Sequence, residues 1–313
     1  MPAKIYTHVR VVAHTPFTGE GSGHESVEKN IEAVKKAAAL ALAEEKKCKD
    51  GADEVVLPIF VAPEGTWKKK TGAYGPDELA QVYNYLVTLS KASPDVLMFP
   101  GTVIWKLAGD ASAEVLKKSF SFGDVKFLMQ NMANKTKGQA VLYNSVPVLF
   151  DGKIIHNLNE QYSGKDIEDG FDYAPGAGKG KEYWSKLDKK EGVDVDGNGG
   201  PRQGSHVFLY KDLVTGLEKK QNMLQLGVET ARDTAHKALH AAGKKLDIQV
   251  LLSGGMVFEP AAMITRPYGL AIHCDGNTKE WKKSGLKVFT VDEQNFIPPS
   301  TANLVCHGDD NTA

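Results

Sequence analysis

The sequence is poor in the features that mark several large classes of protein. Cysteine is scarce: Cys48, Cys274 and Cys306 form an odd, widely spaced set with no CxxC pair and no zinc-like grouping, so neither a disulfide framework nor a structural zinc site is expected. Excess charge of either sign is nearly absent. With 38 basic and 39 acidic residues the formal charge is -1 at pH 7, which supplies no field toward nucleic acid or an anionic membrane, and neither is expected as a partner. The longest basic run, Lys68-Lys69-Lys70, is too short to track a phosphate backbone and reads as a solvated loop. No apolar run approaches the about 18 residues of a membrane span, and the N-terminus MPAKIYTHVRVVAHTP alternates like a strand where a signal peptide would be unbroken and apolar. A cytoplasmic location is therefore the expectation, although leaderless export would leave the same trace. No tandem repeat with a period of about 20 to 50 residues is visible, which sets solenoids and propellers aside.

What is present is the composition of a folded domain: 313 residues, 42% hydrophobic and 25% charged. Ile5 to Ala13 reads as a strand, and Ser26 is placed to cap a helix running to Cys48, with Val27, Ile31, Val34, Ala38 and Leu42 at three-to-four spacing. Glu54 to Ala62 is an apolar run suited to a strand buried on both faces. Pro76-Asp77-Glu78 opens a second helix through Ser90, and Val96 to Phe99 is a short strand. A weaker helical region spans 111–118. Ala140 to Phe150 and Lys153 to Leu158 read as strands joined by Asp151-Gly152, a strong hairpin turn. The 162–204 region is polar and glycine-rich and reads as a long surface insertion. Strand-like segments resume at His206 to Tyr210 and Met223 to Val228, then a helix from Thr234 to Ala242 and a strand from Ile248 to Leu252. The rhythm of the second half continues the first, which predicts one domain over 1–300 and a loose tail over 301–313.

Local chemical signals are few. Asp194, Asp196 and Asn198 match the first half of a calcium loop, but Ser205 stands where the bidentate glutamate belongs; calcium is the one metal the sequence suggests, and no other cofactor is expected. The loop Gly19-Glu20-Gly21-Ser22-Gly23 lacks the lysine of a P-loop, and His236 and His240 lack the glutamate of a zinc-protease helix.

Four separated segments, in order, resemble the nitrilase, or carbon–nitrogen hydrolase, superfamily: FVAPEGTW at 60–67, LMFPGTVIW at 97–105, VLYNSVPVLFDGKIIHNLNE at 141–160 and LGVETARD at 226–233, with IQVLLSGGM downstream. The resemblance implies a four-layer αββα sandwich of two mixed β-sheets. It also implies a mechanism in which a glutamate takes the proton of a cysteine, the thiolate attacks an amide or nitrile carbon, and a lysine stabilises the oxyanion. Carried over residue by residue, Glu64 takes the place of the glutamate. Glu160 falls at the lysine position, and Ala231 at the cysteine position, two residues before Asp233. Trp67 is read as a wall of the former pocket, with Arg232 and Asp233 as ligand contacts at the elbow.

An alanine has no nucleophile, and a carboxylate opposes a developing oxyanion. The sequence therefore points to a pseudoenzyme that keeps the fold to bind a small molecule or a protein partner. Two alternatives stay open. One is a genuine amidase-type hydrolase seen as an inactivated variant, alanine being what an engineer writes for cysteine; the other is a hydrolase using Glu64, Glu160 and Asp233 as a carboxylate cluster. The resemblance further implies a homodimer paired near Thr234 to Ala242. Light scattering at micromolar concentration should show twice the mass of one chain, and a single-chain species alone would count against the pairing.

Overall fold

The computed structural model describes residues 5–19, 22–52, 54–70, 73–108, 117, 140–160, 206–210, 212–215, 222–231, 239, 245–256, 260–277, 285–292, 295–297 and 305–307. The elements in chain order are β1 (Ile5–Tyr6), β2 (His8–His14), α1 (Val27–Lys47), β3 (Val56–Ala62), α2 (Pro76–Ala92), β4 (Leu97–Pro100), β5 (Val103–Ala108), β6 (Ala140–Phe150), β7 (Lys153–Asn159), β8 (Val207–Phe208), β9 (Val214–Thr215), β10 (Asn222–Met223), β11 (Leu226–Thr230), β12 (Leu246–Ser253), β13 (Thr265–Asp275), β14 (Leu286–Asp292), β15 (Asn295–Ile297) and β16 (Val305–His307). The expected insertion at 162–204 lies outside these residues, as do the helices expected at 111–118 and 234–242 apart from Lys117 and Leu239.

Both principal sheets are mixed, as expected. The first runs β16-β2-β3-β4-β6-β5, with β7 paired to β6; β16, β2, β3 and β4 are parallel and the hairpin strands antiparallel. The second runs β15-β14-β13-β12-β11-β8, with β11, β12 and β13 parallel. A small sheet of β1, β9 and β10 stands beside them.

Alternation along the strands decides what lies between the sheets. Leu57, Ile59 and Val61 of β3, Leu97 and Phe99 of β4, and Val146 and Val148 of β6 share one apolar cluster with Val228 of β11, Ile248, Val250 and Leu252 of β12, and Ile272 and Cys274 of β13. The sheets are thus packed face to face. The intervening residues of the first sheet, among them Val12, Phe60 and Met98, face a second cluster with Val34, Ala38 and Leu42 of α1 and Leu79, Val82 and Leu86 of α2. The outer face of the second sheet carries Leu246 and Val207 against Leu239. This is an α/β sandwich in which α1 and α2 form one outer layer.

Local sequence accounts for the helix starts. The Ser26 hydroxyl accepts the Lys29 N–H at 3.4 Å, and Pro76 occupies the first turn of α2 while the Gly75 N–H donates to Glu78 at 2.8 Å.

Four features differ from the sequence reading. The single strand read from Ile5 to Ala13 is two, with Ile5–Tyr6 paired to β9 of the small sheet and His8–His14 paired to β3. Part of the tail expected to be loose, Val305–His307, pairs in parallel with Val12 to His14. Met223 to Val228 is not one strand but two, since the chain changes sheets at Leu224 and Gln225, whose N–H groups donate to the Leu213 carbonyl (2.9 Å) and the Asp247 carboxylate (2.7 Å). Strands β5 and β13 to β15 extend the sheets beyond the elements read from the sequence.

Gly101 follows β4 with φ 90°, and an added Cβ would lie 2.5 Å from Thr66 Oγ1 and 2.6 Å from the Pro63 carbonyl oxygen. Gly101→Ala should destabilise the protein by about 2 kcal/mol through positive-φ strain and overlap. Urea unfolding measures it, and a loss under about 0.5 kcal/mol would show that the turn relaxes freely.

Candidate functional site

Glu64 stands just past the C-terminal end of β3, where the parallel strands of an α/β sheet open toward ligands. The turn that carries it is tightly held. Gly65 has φ 72° and donates its N–H to Thr102 Oγ1 at 2.8 Å; the Thr66 hydroxyl donates to the Pro63 carbonyl at 2.7 Å. From behind, the buried Asn30 of α1 donates to the Thr66 carbonyl (3.1 Å) and to the Tyr74 hydroxyl (2.8 Å). A buried asparagine in an otherwise apolar helix stripe was the signal available in the sequence for this support.

Glu160 arrives from the other direction, at the end of the β6–β7 hairpin. Asp151 (φ 49°) and Gly152 (φ 72°) make the turn with both residues left-handed. The register then shifts by one between Val148 and Leu149, so that Val148 faces His156 and Ser145 faces Asn159. Glu160 is thereby set opposite Asn144, whose carbonyl accepts its N–H at 2.8 Å. Without that bulge the parity of the strand would invert and residue 160 would face the other side of the sheet.

Asn144 joins the two arms. Its amide nitrogen donates to Glu64 at 2.9 Å and to Glu160 at 2.8 Å, so both hydrogens of one NH2 group are given to two carboxylates. Asn144 lies on the inward-facing parity of β6, continuous with Val146 and Val148, and is 7% exposed. Glu64 and Glu160 are half-buried above it. The sequence reading brought these two glutamates to one site and did not single out Asn144.

Lys68 is a second residue that the sequence did not reveal. It is not in a solvated loop: its ammonium donates to the carbonyls of Thr18 (2.7 Å) and Gly19 (3.0 Å). Burial pushes its pKa below the ordinary lysine value, and the charge of Glu64 acts in the opposite direction. Lys69 is also engaged, pairing with Glu78 at 2.7 Å.

The second sheet closes the far side. Thr230 of β11 is paired with Leu252 of β12, so Ala231, the first helical residue after β11, stands level with Ser253. The next residue, Gly254, faces inward; a Cβ there would lie 3.5 Å from Thr18 Oγ1 and 3.9 Å from the Glu64 carbonyl oxygen. The Thr18 N–H donates to the Gly276 carbonyl at 2.8 Å. Ala231 and Glu64 therefore sit at the same end of the sandwich, on opposite sheets.

Ser253, His273 and Asp275 form a separate buried network on the outward parity of β12 and β13. The Ser253 hydroxyl lies 2.7 Å from His273 Nε2 and donates to Asp275, which also accepts the N–H groups of Gly255 (3.0 Å), Met256 (3.0 Å) and Asn277 (2.7 Å). This is not a nucleophilic triad. Ser253 is 0% exposed, and the carboxylate lies 3.8 Å from the same imidazole nitrogen that meets the hydroxyl, where a triad would use the opposite one. Its work is to fix the loop that carries Gly254.

Trp67 is fully buried in the helix-side cluster, donates its indole N–H to the Pro100 carbonyl at 2.8 Å and lies 5.9 Å from the Tyr85 ring. It is packed as core beneath the Glu64 turn and does not line the opening, where it was expected as a wall. Arg232, Asp233, Asp194, Asp196 and Asn198 lie outside the described residues. Among the described residues no group of three His, Cys, Asp or Glu side chains could hold a metal, and no helix is long and apolar enough to cross a membrane.

No family model and no curated sequence matches the chain. Solved structures similar to it include a cysteine-to-alanine mutant of the Nesterenkonia AN1 amidase from the nitrilase superfamily, at 11% identity and TM-score 0.40, covering 88% of this chain and 79% of that one. A glutamine-dependent NAD+ synthetase from Cytophaga hutchinsonii matches at 12% identity and TM-score 0.36, covering 85% of this chain and 36% of that one. The glutamine-dependent NAD+ synthetase from Acinetobacter baumannii matches at 14% and 0.34, covering 83% and 38%. This chain spans well under half the length of either synthetase.

Burial pushes the imidazole of His273 from 6.5 down to about 4, with Lys287 adding to the shift and Asp275 opposing it. As pH falls the unfolded chain takes up this proton first, so the stability contributed by neutral His273 is complete above pH 6.5 and is lost as pH falls toward 4. Urea midpoints should therefore drop between pH 7 and pH 4.5, and less steeply in His273→Gln. An identical slope in the variant would remove His273 as the cause.

Proposed function

We propose that the protein is a nitrilase-like scaffold that binds a small molecule or a protein partner and does not hydrolyse carbon–nitrogen bonds. The observation that carries this reading is the pairing of Glu64 with Glu160 through Asn144, at the same end of the sandwich as Ala231. Acyl transfer by the mechanism the resemblance implies needs a nucleophile at the elbow, and the methyl of Ala231 offers none. It also needs positive charge or hydrogen-bond donors where the oxyanion forms, and Glu160 brings a carboxylate to that position. Lys68 does not replace the missing lysine, because its ammonium is directed to the Thr18 and Gly19 carbonyls. Cys274 does not replace the missing nucleophile, being fully buried in the layer between the sheets.

The convergence of two glutamates favours one alternative, a hydrolase of carboxylate-based chemistry. A genuine amidase seen as an inactivated variant is the other, and Glu160 argues against it, since one replacement at the nucleophile suffices to stop turnover. The proposal carries with it a homodimer, a cytoplasmic site of action and no bound cofactor.

Assays on amides, nitriles and carbamoyl compounds should show no turnover. Ala231→Cys alone should remain inactive, because the oxyanion position keeps its carboxylate, whereas Ala231→Cys with Glu160→Lys should recover weak hydrolysis of a small amide. Hydrolysis by the unaltered chain that survives repurification and is abolished by Glu64→Ala would overturn the binding reading in favour of the carboxylate hydrolase.

A further inference from the structure

We propose that residues 15–19 form a strap that closes over the Glu64 turn and opens as a unit, with the Lys68 ammonium as its latch. The strap leaves the first sheet at the end of β2 and is tied to the second sheet through Gly276, so it crosses the end of the sandwich where Glu64 and Ala231 stand. It serves whatever ligand the site takes, and failure of the binding reading leaves it standing.

Three observations carry it. The first is a socket of glycines. Thr18 is 7% exposed and is set against residues of both sheets. A Cβ added at Gly276, just past β13, would overlap Thr18 Oγ1 and lie 2.8 Å from Thr18 Cβ; one at Gly65, beside Glu64, would lie 3.5 Å from Thr18 Cβ. The φ of Gly276 lies outside the left-handed region, so its bare backbone serves the fit of Thr18 and not a turn.

The second is the latch. Lys68 donates to the Thr18 carbonyl (2.7 Å) and the Gly19 carbonyl (3.0 Å), while the Thr18 N–H donates to the Gly276 carbonyl (2.8 Å). Hydrogen bonds from a charged donor are the stronger kind, and one side chain here holds two successive carbonyls. Within the strap a Cβ at Gly19 would overlap the Phe17 ring, so the segment packs on itself and moves as one piece.

The third is a bias against closure. The Thr18 hydroxyl is buried and has no hydrogen-bond partner among the described residues. A hydroxyl taken from water without a partner costs free energy that it regains when the strap lifts. The closed position therefore leans on Lys68, and a segment held in this way opens before the sheets beneath it.

Residue-level hydrogen exchange of the full-length protein, with carbodiimide labelling of Glu64 read by mass spectrometry, tests the proposal. Relative to intrinsic rates, the Thr18 amide should exchange at least about tenfold faster than the Val61 amide of β3. Val250→Ala, which weakens the layer between the sheets, should speed Val61 at least about tenfold and leave Thr18 within about twofold, because strap opening does not unpack that layer. Lys68→Met and Gly276→Ala, each checked for native circular dichroism, should each speed Thr18 at least about tenfold, with Lys68→Arg losing less. Labelling of Glu64 should rise at least about threefold in both variants, with the exposed Glu25 unchanged. Gly276→Ala keeps the charge of Lys68 near Glu64, so a rise there reports access. Thr18 exchanging no faster than Val61, Thr18 following Val61 in Val250→Ala, no response of Thr18 to Lys68→Met, or unaltered Glu64 labelling in Gly276→Ala would each overturn it.

Discussion

Alternate residues of β3, β4, β6, β11, β12 and β13 turn Leu57, Phe99, Val146, Val228, Val250 and Ile272 into one dry layer, and both sheets depend on it for their place. Burial of apolar surface contributes about 25 cal/mol per Å2 removed from water, and neither sheet can gain it without the other. Hydrogen bonding within each sheet fixes strand order; the layer between them fixes which face of every strand looks inward. That choice, made by the core, also decides which polar residues reach the end of the sandwich.

The candidate site is where the layer runs out. Val148 and Val146 are followed on the same face of β6 by Asn144, and Leu158 of β7 by Glu160, so the inward parity passes from hydrocarbon to amide and carboxylate. The opposite sheet ends in the same way, with Val250 and Leu252 followed by Gly254, which lies against Thr18 and the Glu64 turn. Polar groups at this edge are costly unless paired. Most are held by hydrogen bonds, three of them between segments far apart in the chain: Gly65 to Thr102, Thr66 to Pro63, Asn30 to Thr66 and Lys68 to Thr18. Such dense support keeps two carboxyl groups near one amide, an arrangement that a loose loop would relax.

Glu64 and Glu160 line this end of the sandwich with carboxyl groups that meet at one amide. The network of Ser253, His273 and Asp275 shows the complementary case, a serine, histidine and aspartate whose geometry holds a loop and carries no nucleophile. Residue types alone would have ranked the two clusters the other way.

The amino-acid sequence by itself determined the elements whose signals are local: α1 from its spacing and Ser26, α2 from Pro76, and the hairpin from Asp151-Gly152, because capping and turn chemistry act within a few residues. The expectation that Glu64, Glu160 and Ala231 share one end of a two-sheet α/β fold came from the resemblance of four segments and not from local signals. Non-local contacts decided the rest. The bulge beside Val148 set Glu160 opposite Asn144, and nothing in KIIHNLN announces where a strand gains its extra residue. Lys68 looked like one of three exposed lysines until the loop at Thr18 and Gly19 closed over it, and Trp67 looked like a pocket wall until α2 covered it. Val305–His307 carries too few residues to signal a strand and is ordered by the edge of β2. Asn144, an unremarked asparagine in a strand, became the centre of the site because tertiary packing brought two glutamates, 80 and 16 residues away in the chain, to the same amide.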